Sequence, residues 1–278
     1  MKRVVLAVTN DTVTDQRVGK MAMTLKESGF DPLICGIGKK NNPDFSLPWA
    51  SIHRLPKLFS KGFLFYAEAN IRLFLFLIRT KTDLIIANDL DTLLPCYLTA
   101  VLRRKKLVYD THEYFTGTPD LLHRPIVRNF WKTLERIIFP RLNTIITVNE
   151  SIAKIYFSEY GKPLHVVRNL PPLFHPGPDL DAGMQFPVAK HVLVLQGTGI
   201  NTGRGAEEAI KAMLPEYGLT DALLLIIGGG NAIEGLKKMC SELNLRDRVH
   251  FLPRMPWQQM MQFTSRASIG LSLDKDLG

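Results

Sequence analysis

Several absences narrow the field before any motif is considered. The chain has only three cysteines, Cys35, Cys96 and Cys240, far apart and in no metal-ligand spacing. That supports neither a disulfide framework nor a zinc site and leaves the three as packing residues. No basic stretch followed by an apolar run and a small-residue cleavage site is found; Met1-Lys2-Arg3 runs directly into a short apolar stretch, the pattern of a cytoplasmic protein. The most apolar segment, residues 63–79, is interrupted by Glu68, Asn70 and Arg72, so it does not read as a transmembrane span. No zinc finger, RNA-binding aromatic signature or basic zipper occurs. The net charge of +9 is dispersed, with Arg103-Arg104-Lys105-Lys106 as the only dense run. Nucleic acid is therefore a weaker partner than a phosphorylated small molecule or an anionic lipid surface.

What is present is a globular chain. Its 278 residues, 46% of them hydrophobic, can bury a large core and correspond to about two domains. The first half repeats one unit, an apolar strand followed by an amphipathic helix, which implies a parallel sheet wrapped by helices. Strands are expected near residues 4–9, 32–36, 51–55, 83–87, 107–110, 144–148 and 165–168. The first helix should start near Asp15, capped by Thr14, carry Val18, Met21, Ala22 and Leu25 on one face, and stop at Gly29. As a helix, residues 63–79 would pair Glu68 with Arg72 and show apolar surface nearly all round, which suits either deep packing on a sheet or contact with lipid. Prolines crowd residues 170–190 and read as a connector. A second series follows, with strands at 191–196, 223–227, 249–252 and 267–273 and helices at 206–213, 232–243 and 257–265. The fold class is α/β, with domains 1–169 and 191–278 joined by the linker 170–190.

Reactive side chains collect where apolar strands end. Val108-Tyr109-Asp110-Thr111-His112-Glu113 delivers an imidazole to the carboxyl end of a buried strand, the position that faces a ligand crevice in open α/β sheets. Imidazole is the side chain whose unperturbed pKa lies close to physiological pH, so His112 is the candidate catalytic residue, the alternative being a loop-binding histidine. The strand at 191–196 runs into Gly197-Thr198-Gly199-Ile200-Asn201-Thr202-Gly203-Arg204-Gly205, and the next strand ends in Gly228-Gly229-Gly230, with Lys237 further on. Glycines allow close backbone approach, amides at a helix start suit phosphate oxygens, and Arg204 adds a forked cationic donor. The spacing misses G-x-G-x-x-G by one residue, no acidic residue follows the second strand, and no Gly-Lys-Ser/Thr closes the loop. Both a nicotinamide cofactor and a Walker A site are therefore disfavoured. The carboxylates of Asp89, Asp91 and Asp15 stand at strand ends, where they suit either sugar hydroxyls or helix capping.

Taken in order, Asp15-Gln16-Arg17-Val18, Asn88-Asp89-Leu90-Asp91, Tyr109-Asp110-Thr111-His112-Glu113, Val166-Val167-Arg168-Asn169, Gly203-Arg204-Gly205 and Val249-His250-Phe251-Leu252 resemble bacterial glycosyltransferase family 4 over nearly the whole chain. The resemblance implies a GT-B architecture: two Rossmann-like domains with parallel sheets facing a cleft, acceptor on the first and nucleotide-sugar donor on the second. It implies transfer of a sugar with retention and without a metal or other cofactor, to a glycan or lipid-linked acceptor in surface polysaccharide or glycoconjugate assembly. Residues 63–79 and the basic balance, apart from the resemblance, add the expectation of peripheral contact at the membrane's inner face. It assigns His112 to the transferred sugar. Gly197, Gly199, Gly203, Arg204, Gly228, Gly230 and Lys237 go to the donor diphosphate, and Asp15, Arg17, Asp89, Asp91 and Glu113 to the acceptor side. Thr198 departs from the pattern, since many members carry arginine there. Members also continue with a Glu-rich donor motif that is not found before Gly278. The expectation is a truncated second domain, inactive alone. The alternatives are a non-catalytic binding or scaffolding remnant and a GT-B sugar-nucleotide epimerase.

Overall fold

The computed structural model describes residues 1–9, 16–38, 47–171, 173–175, 189–197 and 199–273. Thr14, Asp15 and Thr198 lie outside them. The chain divides into two compact units, Met1–Leu170 and Pro171–Gly278.

The first unit runs β1 (Arg3–Ala7), α1 (Gln16–Glu27), β2 (Asp31–Ile37), β3 (Ser51–Leu55), α2 (Gly62–Arg79), β4 (Leu84–Asn88), α3 (Leu90–Arg103), β5 (Lys106–Thr111), α4 (Pro119–Leu122), α5 (Pro125–Ile138), β6 (Thr144–Thr147), α6 (Glu150–Tyr160) and β7 (His165–Val166). The seven strands pair in the order β3-β2-β1-β4-β5-β6-β7, all parallel. The order reverses between β1 and β4, so the carboxyl ends of these strands frame a crevice, the usual ligand position in such sheets. Chemistry at residues 88–91 and 111–113 is placed there by topology.

Central strands are buried on both faces, which is why they read as apolar runs. One face packs α2, α3 and α5 through a core that includes Leu73, Leu77, Leu93, Tyr109 and Phe139. The other packs α1 through Val18 and Ala22 against Val4, Leu6 and Ile34. Gly29 at φ 82° ends α1, as expected, because its amide and that of Phe30 turn back to Lys26 and Leu25. The α2 segment buries Ala69, Leu73 and Leu77 while Phe63, Leu64, Ile71 and Leu75 stay exposed. Deep packing is thus realised on one stripe, with a second apolar stripe left outside. The expected Glu68–Arg72 pair forms at 2.7 Å, and Glu68 also accepts from the amides of Leu58 and Phe59. Among the described residues no helix is long and apolar enough to cross a membrane.

The second unit runs β8 (His191–Gly197), α7 (Ala206–Ala212), β9 (Ala222–Gly228), α8 (Ile233–Glu242), β10 (Val249–Leu252), α9 (Trp257–Arg266) and β11 (Ile269–Gly270), with parallel strand order β10-β9-β8-β11. Here the reversal falls between β8 and β11, beside the glycine loop that leaves β8. The edge strands β7 and β11 are shorter than the apolar patterns around them: each has a ladder partner on one side only. Cys35, Cys96 and Cys240 are free and buried, as packing residues should be.

Candidate active site

In the first unit the site is assembled by the register of β4 on β5. Asn88 pairs with Asp110, and the Asp89 amide donates to the Asp110 carbonyl at 2.9 Å. Asp89 caps α3 with φ 63° and ψ 167°, a region that only glycine enters readily; a non-glycine residue held there stores about 1–3 kcal/mol of strain. The strain aims its carboxylate at His112: Oδ1 accepts from the His112 amide at 3.0 Å and lies 3.0 Å from Nδ1 of the ring. Both side chains are partly exposed, at 24% and 19%.

Asp91 stands on the first turn of α3, 7% exposed. The Thr9 hydroxyl, from the end of β1, donates to its Oδ2, and Asn70 of α2 donates to its backbone carbonyl at 2.9 Å. Burial first, then the negative charge of Asp89, lifts the Asp91 carboxyl from 3.8 to about 7, against the lowering effects of Thr9 and His112. Asp89, Asp91 and His112 therefore form one cluster at the switch point, joined by Thr9 and Asn70.

Arg17 is placed elsewhere. It is 6% exposed, and its guanidinium grips Asp110 with Nε at 3.0 Å and Nη2 at 2.7 Å, while Nη1 donates to the Val167 carbonyl at 3.0 Å. A bidentate pair of this kind satisfies a buried charge and locks the β5 end that carries His112. Glu113 is exposed; its carbonyl accepts from the Thr111 hydroxyl at 2.7 Å. Behind the strand, Glu135 is fully buried and accepts from Tyr156 at 3.0 Å, Tyr160 at 2.8 Å and Lys132 at 2.9 Å. Lys132 also reaches Tyr114 and Glu159, so the segment after His112 is pinned on a polar network. A glutamate among Leu134, Ile137 and Ile138 on an amphipathic helix is the sequence signal for that network.

In the second unit the two glycine turns interlock. Gly197 and Gly228 are register partners, and Gly228, at φ 136°, passes so close that a Cβ would sit 1.8 Å from the Gly197 carbonyl oxygen. A Cβ on Gly230 would lie 2.0 Å from the Ile200 carbonyl oxygen. The Ile200 amide donates to Gly229, and Asn201 and Asn231 exchange side-chain bonds with the opposite turn's amides at 3.1 Å and 3.2 Å. Gly199 accepts from the Asn201 amide, and Gly203 and Gly205 take φ 86° and 73° on either side of Arg204. The helix that follows has only seven residues and opens with Glu207 and Glu208, so acidic side chains already occupy its positive end. Lys237 lies on α8, 2.8 Å from Glu234. Arg254, which the sequence pattern did not single out, lies after β10 with its side chain against Gly229, where a Cβ would be 2.8 Å from Nε. Its signal was its place just beyond a strand end. Among the described residues no group of three or more His, Cys, Asp or Glu could hold a metal ion.

The family model Glycosyltransferase Family 4 matches residues 16–170. Solved structures with GT-B architecture share the fold. Sucrose-phosphate synthase from Thermosynechococcus elongatus superposes with a TM-score of 0.77 at 17% identity, covering 100% of this chain and 77% of that one. HepE of Anabaena, in complex with UDP and glucose, gives 0.66 at 14% identity over 98% and 74%. A putative UDP-N-acetylglucosamine 2-epimerase from Listeria monocytogenes gives 0.59 at 12% identity over 97% and 73%. No curated protein is significantly similar in sequence.

Proposed function

The chain belongs to glycosyltransferase family 4, and from that premise we propose that it moves a sugar from a nucleotide diphosphate sugar to a hydroxyl of a glycan or lipid-linked acceptor, with retention of configuration and without a metal. The observation that carries this reading is the Asp89–His112 pair at the carboxyl ends of β4 and β5. A carboxylate 3.0 Å from Nδ1 favours the tautomer with its proton on that nitrogen and leaves Nε2 as the ring's acceptor, a buried atom that a sugar hydroxyl reaches only when the ring's surroundings open. In this role His112 orients the transferred sugar, and the nearby Asp89 charge favours the cationic character that develops at the anomeric carbon as the bond to diphosphate breaks. Asp91, its carboxyl lifted to about 7 by burial and the charge of Asp89, backs this pair from within the acceptor-side crevice, bonded to Thr9.

On the donor side the crossed glycine turns bring backbone amides close to a diphosphate, and Arg204 stabilises the charge that collects on it as it leaves. Because Glu207 and Glu208 occupy the start of α7, this work falls to the loop backbone and the arginines rather than to a helix dipole. The exposed apolar residues of α2 and the basic balance support a place on the inner face of a membrane, where lipid-linked acceptors of surface polysaccharides and glycoconjugates are found.

The test uses a panel of nucleotide diphosphate sugars, UDP-glucose first because HepE was solved with UDP and glucose. Release of nucleoside diphosphate and the linkage of the product are followed by mass spectrometry. His112→Ala should lower turnover on the order of a hundredfold while donor affinity changes little, as for a group that acts in the transition state. Binding with no turnover across the panel would indicate a non-catalytic remnant, and an epimerised nucleotide sugar would indicate an epimerase of the same architecture.

A further inference from the structure

At the edge of the first sheet opposite His112, the amino-terminal ends of β4, β5 and β6 frame a cavity of about 640 Å³. Its wall is apolar at Leu107 and Leu142, and its rim is cationic at Arg104, Lys105, Lys106 and Arg141. No acidic side chain among the described residues lines it. The neighbouring Arg103 is occupied with the carbonyls of Leu77 and Thr80, and Arg141 donates to Ile137. The charged groups of Arg104, Lys105 and Lys106 pair with no side chain or carbonyl among the described residues. They are not needed to cap α3 either: Arg104, at φ 52°, and Lys105 close the helix with their backbone amides, which donate to Val101 and Ala100.

Consecutive cations around one hollow repel each other, and an anion seated among them removes that repulsion. The outer face of α3 leads into the same hollow with apolar side chains, Leu98 at 42%, Val101 at 56% and Leu102 at 65% exposure, and Val101 is itself part of the cavity wall. The one acid on that helix, Asp91, is buried at its other end. Charge without acid, beside apolar surface, fits a ligand that joins a phosphate to a hydrocarbon chain. The volume lies within the usual range for a small-molecule site, roughly 300–1,000 Å³.

The geometry points to a binding site for the phosphate-bearing headgroup of an anionic phospholipid, its chain lying along α3. The site is separate from the transfer reaction and holds whether or not that reading stands, since none of its residues belongs to the Asp89–His112 cluster.

Titration of the whole chain with short-chain phosphatidic acid below its micelle concentration, followed by calorimetry and amide chemical shifts, tests the site directly. Short-chain phosphatidylcholine and inorganic phosphate are the comparison ligands. Saturable binding of phosphatidic acid is expected, with phosphatidylcholine and phosphate each at least about tenfold weaker, a difference of about 1.4 kcal/mol. Lys105→Glu/Lys106→Glu should weaken phosphatidic acid by about tenfold or more through the headgroup, and Val101→Glu should do so through the chain. Thermal melts and nucleotide-sugar binding should match the parent in both variants. Absence of binding, or binding that neither variant changes, overturns the proposal. Inorganic phosphate as tight as the lipid overturns it in favour of a free-anion site.

Discussion

Asp91 shows how much a neighbourhood can change one side chain. It lies at a strand-end crevice, yet burial and the charge of Asp89 hold its carboxyl at about 7 rather than 3.8. The folded protein therefore keeps a proton that the unfolded chain has already released. The stability linked to that proton is complete below about pH 4 and is lost as pH rises through 7. Asp91→Asn keeps the shape and an acceptor for Thr9 but does not ionise. It should melt close to the parent at pH 4 and increasingly above it as pH rises to 8. The gain is a few kcal/mol at most, since each tenfold difference in proton affinity between the folded and unfolded chain is worth about 1.4 kcal/mol. A constant separation across that range would show that Asp91 titrates as an ordinary carboxyl. Arg17 makes the complementary point: its type and position suit a surface contact with substrate, and its 6% exposure makes it a clamp on Asp110 instead.

At the level of elements, the two glycine turns work as one device because β8 and β9 are adjacent and in register at Gly197 and Gly228. Their glycines are not equivalent. Gly228 and Gly230 are pressed against carbonyl oxygens of the opposite turn, whereas a Cβ on Gly203 would meet nothing within 4 Å. Gly228→Ala should therefore destabilise the second unit by about 2–4 kcal/mol, combining a clash with a backbone angle foreign to L-residues. Gly203→Ala carries only the backbone cost, about 1 kcal/mol. Denaturant unfolding measures both, and equal costs would mean that the turns do not interlock as described. Helix α2 also behaves as an element with two faces, Leu73 and Leu77 in the core and Ile71 and Leu75 outside. Its periodicity identified a helix; which apolar residues were spare depended on what packed beside it.

At the scale of the whole molecule, each unit has its own cores. Every residue of the two clusters that stabilise the first unit lies between Val4 and Leu164, and the family model stops at residue 170, where the first unit ends. The piece Met1–Leu170, expressed alone, should unfold in a single cooperative transition by heat and by denaturant, as small domains with complete cores do. It should also sediment with anionic vesicles at low salt and release as salt rises, since it carries the exposed α2 and α3 stripes and the dense basic run. A broad, probe-dependent melt would show that the first unit depends on the second, and vesicle binding that salt does not reverse would remove the electrostatic part of the membrane reading.

The sequence by itself determined the elements and their class. Buried parallel strands must be apolar on both faces, so β1, β2, β4, β5, β8 and β9 announced themselves, and the glycine turns and His112 could be placed at strand ends. It did not determine partners, because a linear pattern holds no information about which strand end lies beside which. Asp89 meets the His112 amide across 23 positions, Thr9 meets Asp91 across 82, and Arg17 meets Asp110 across 93. Only the tertiary structure, through strand order and register, brought the strand ends at Thr9, Asp89–Asp91 and His112 into one site and set Arg17 apart on Asp110. The same packing buried Asp91 until its acidity changed and left Arg104, Lys105 and Lys106 around a hollow that no acid among the described residues lines.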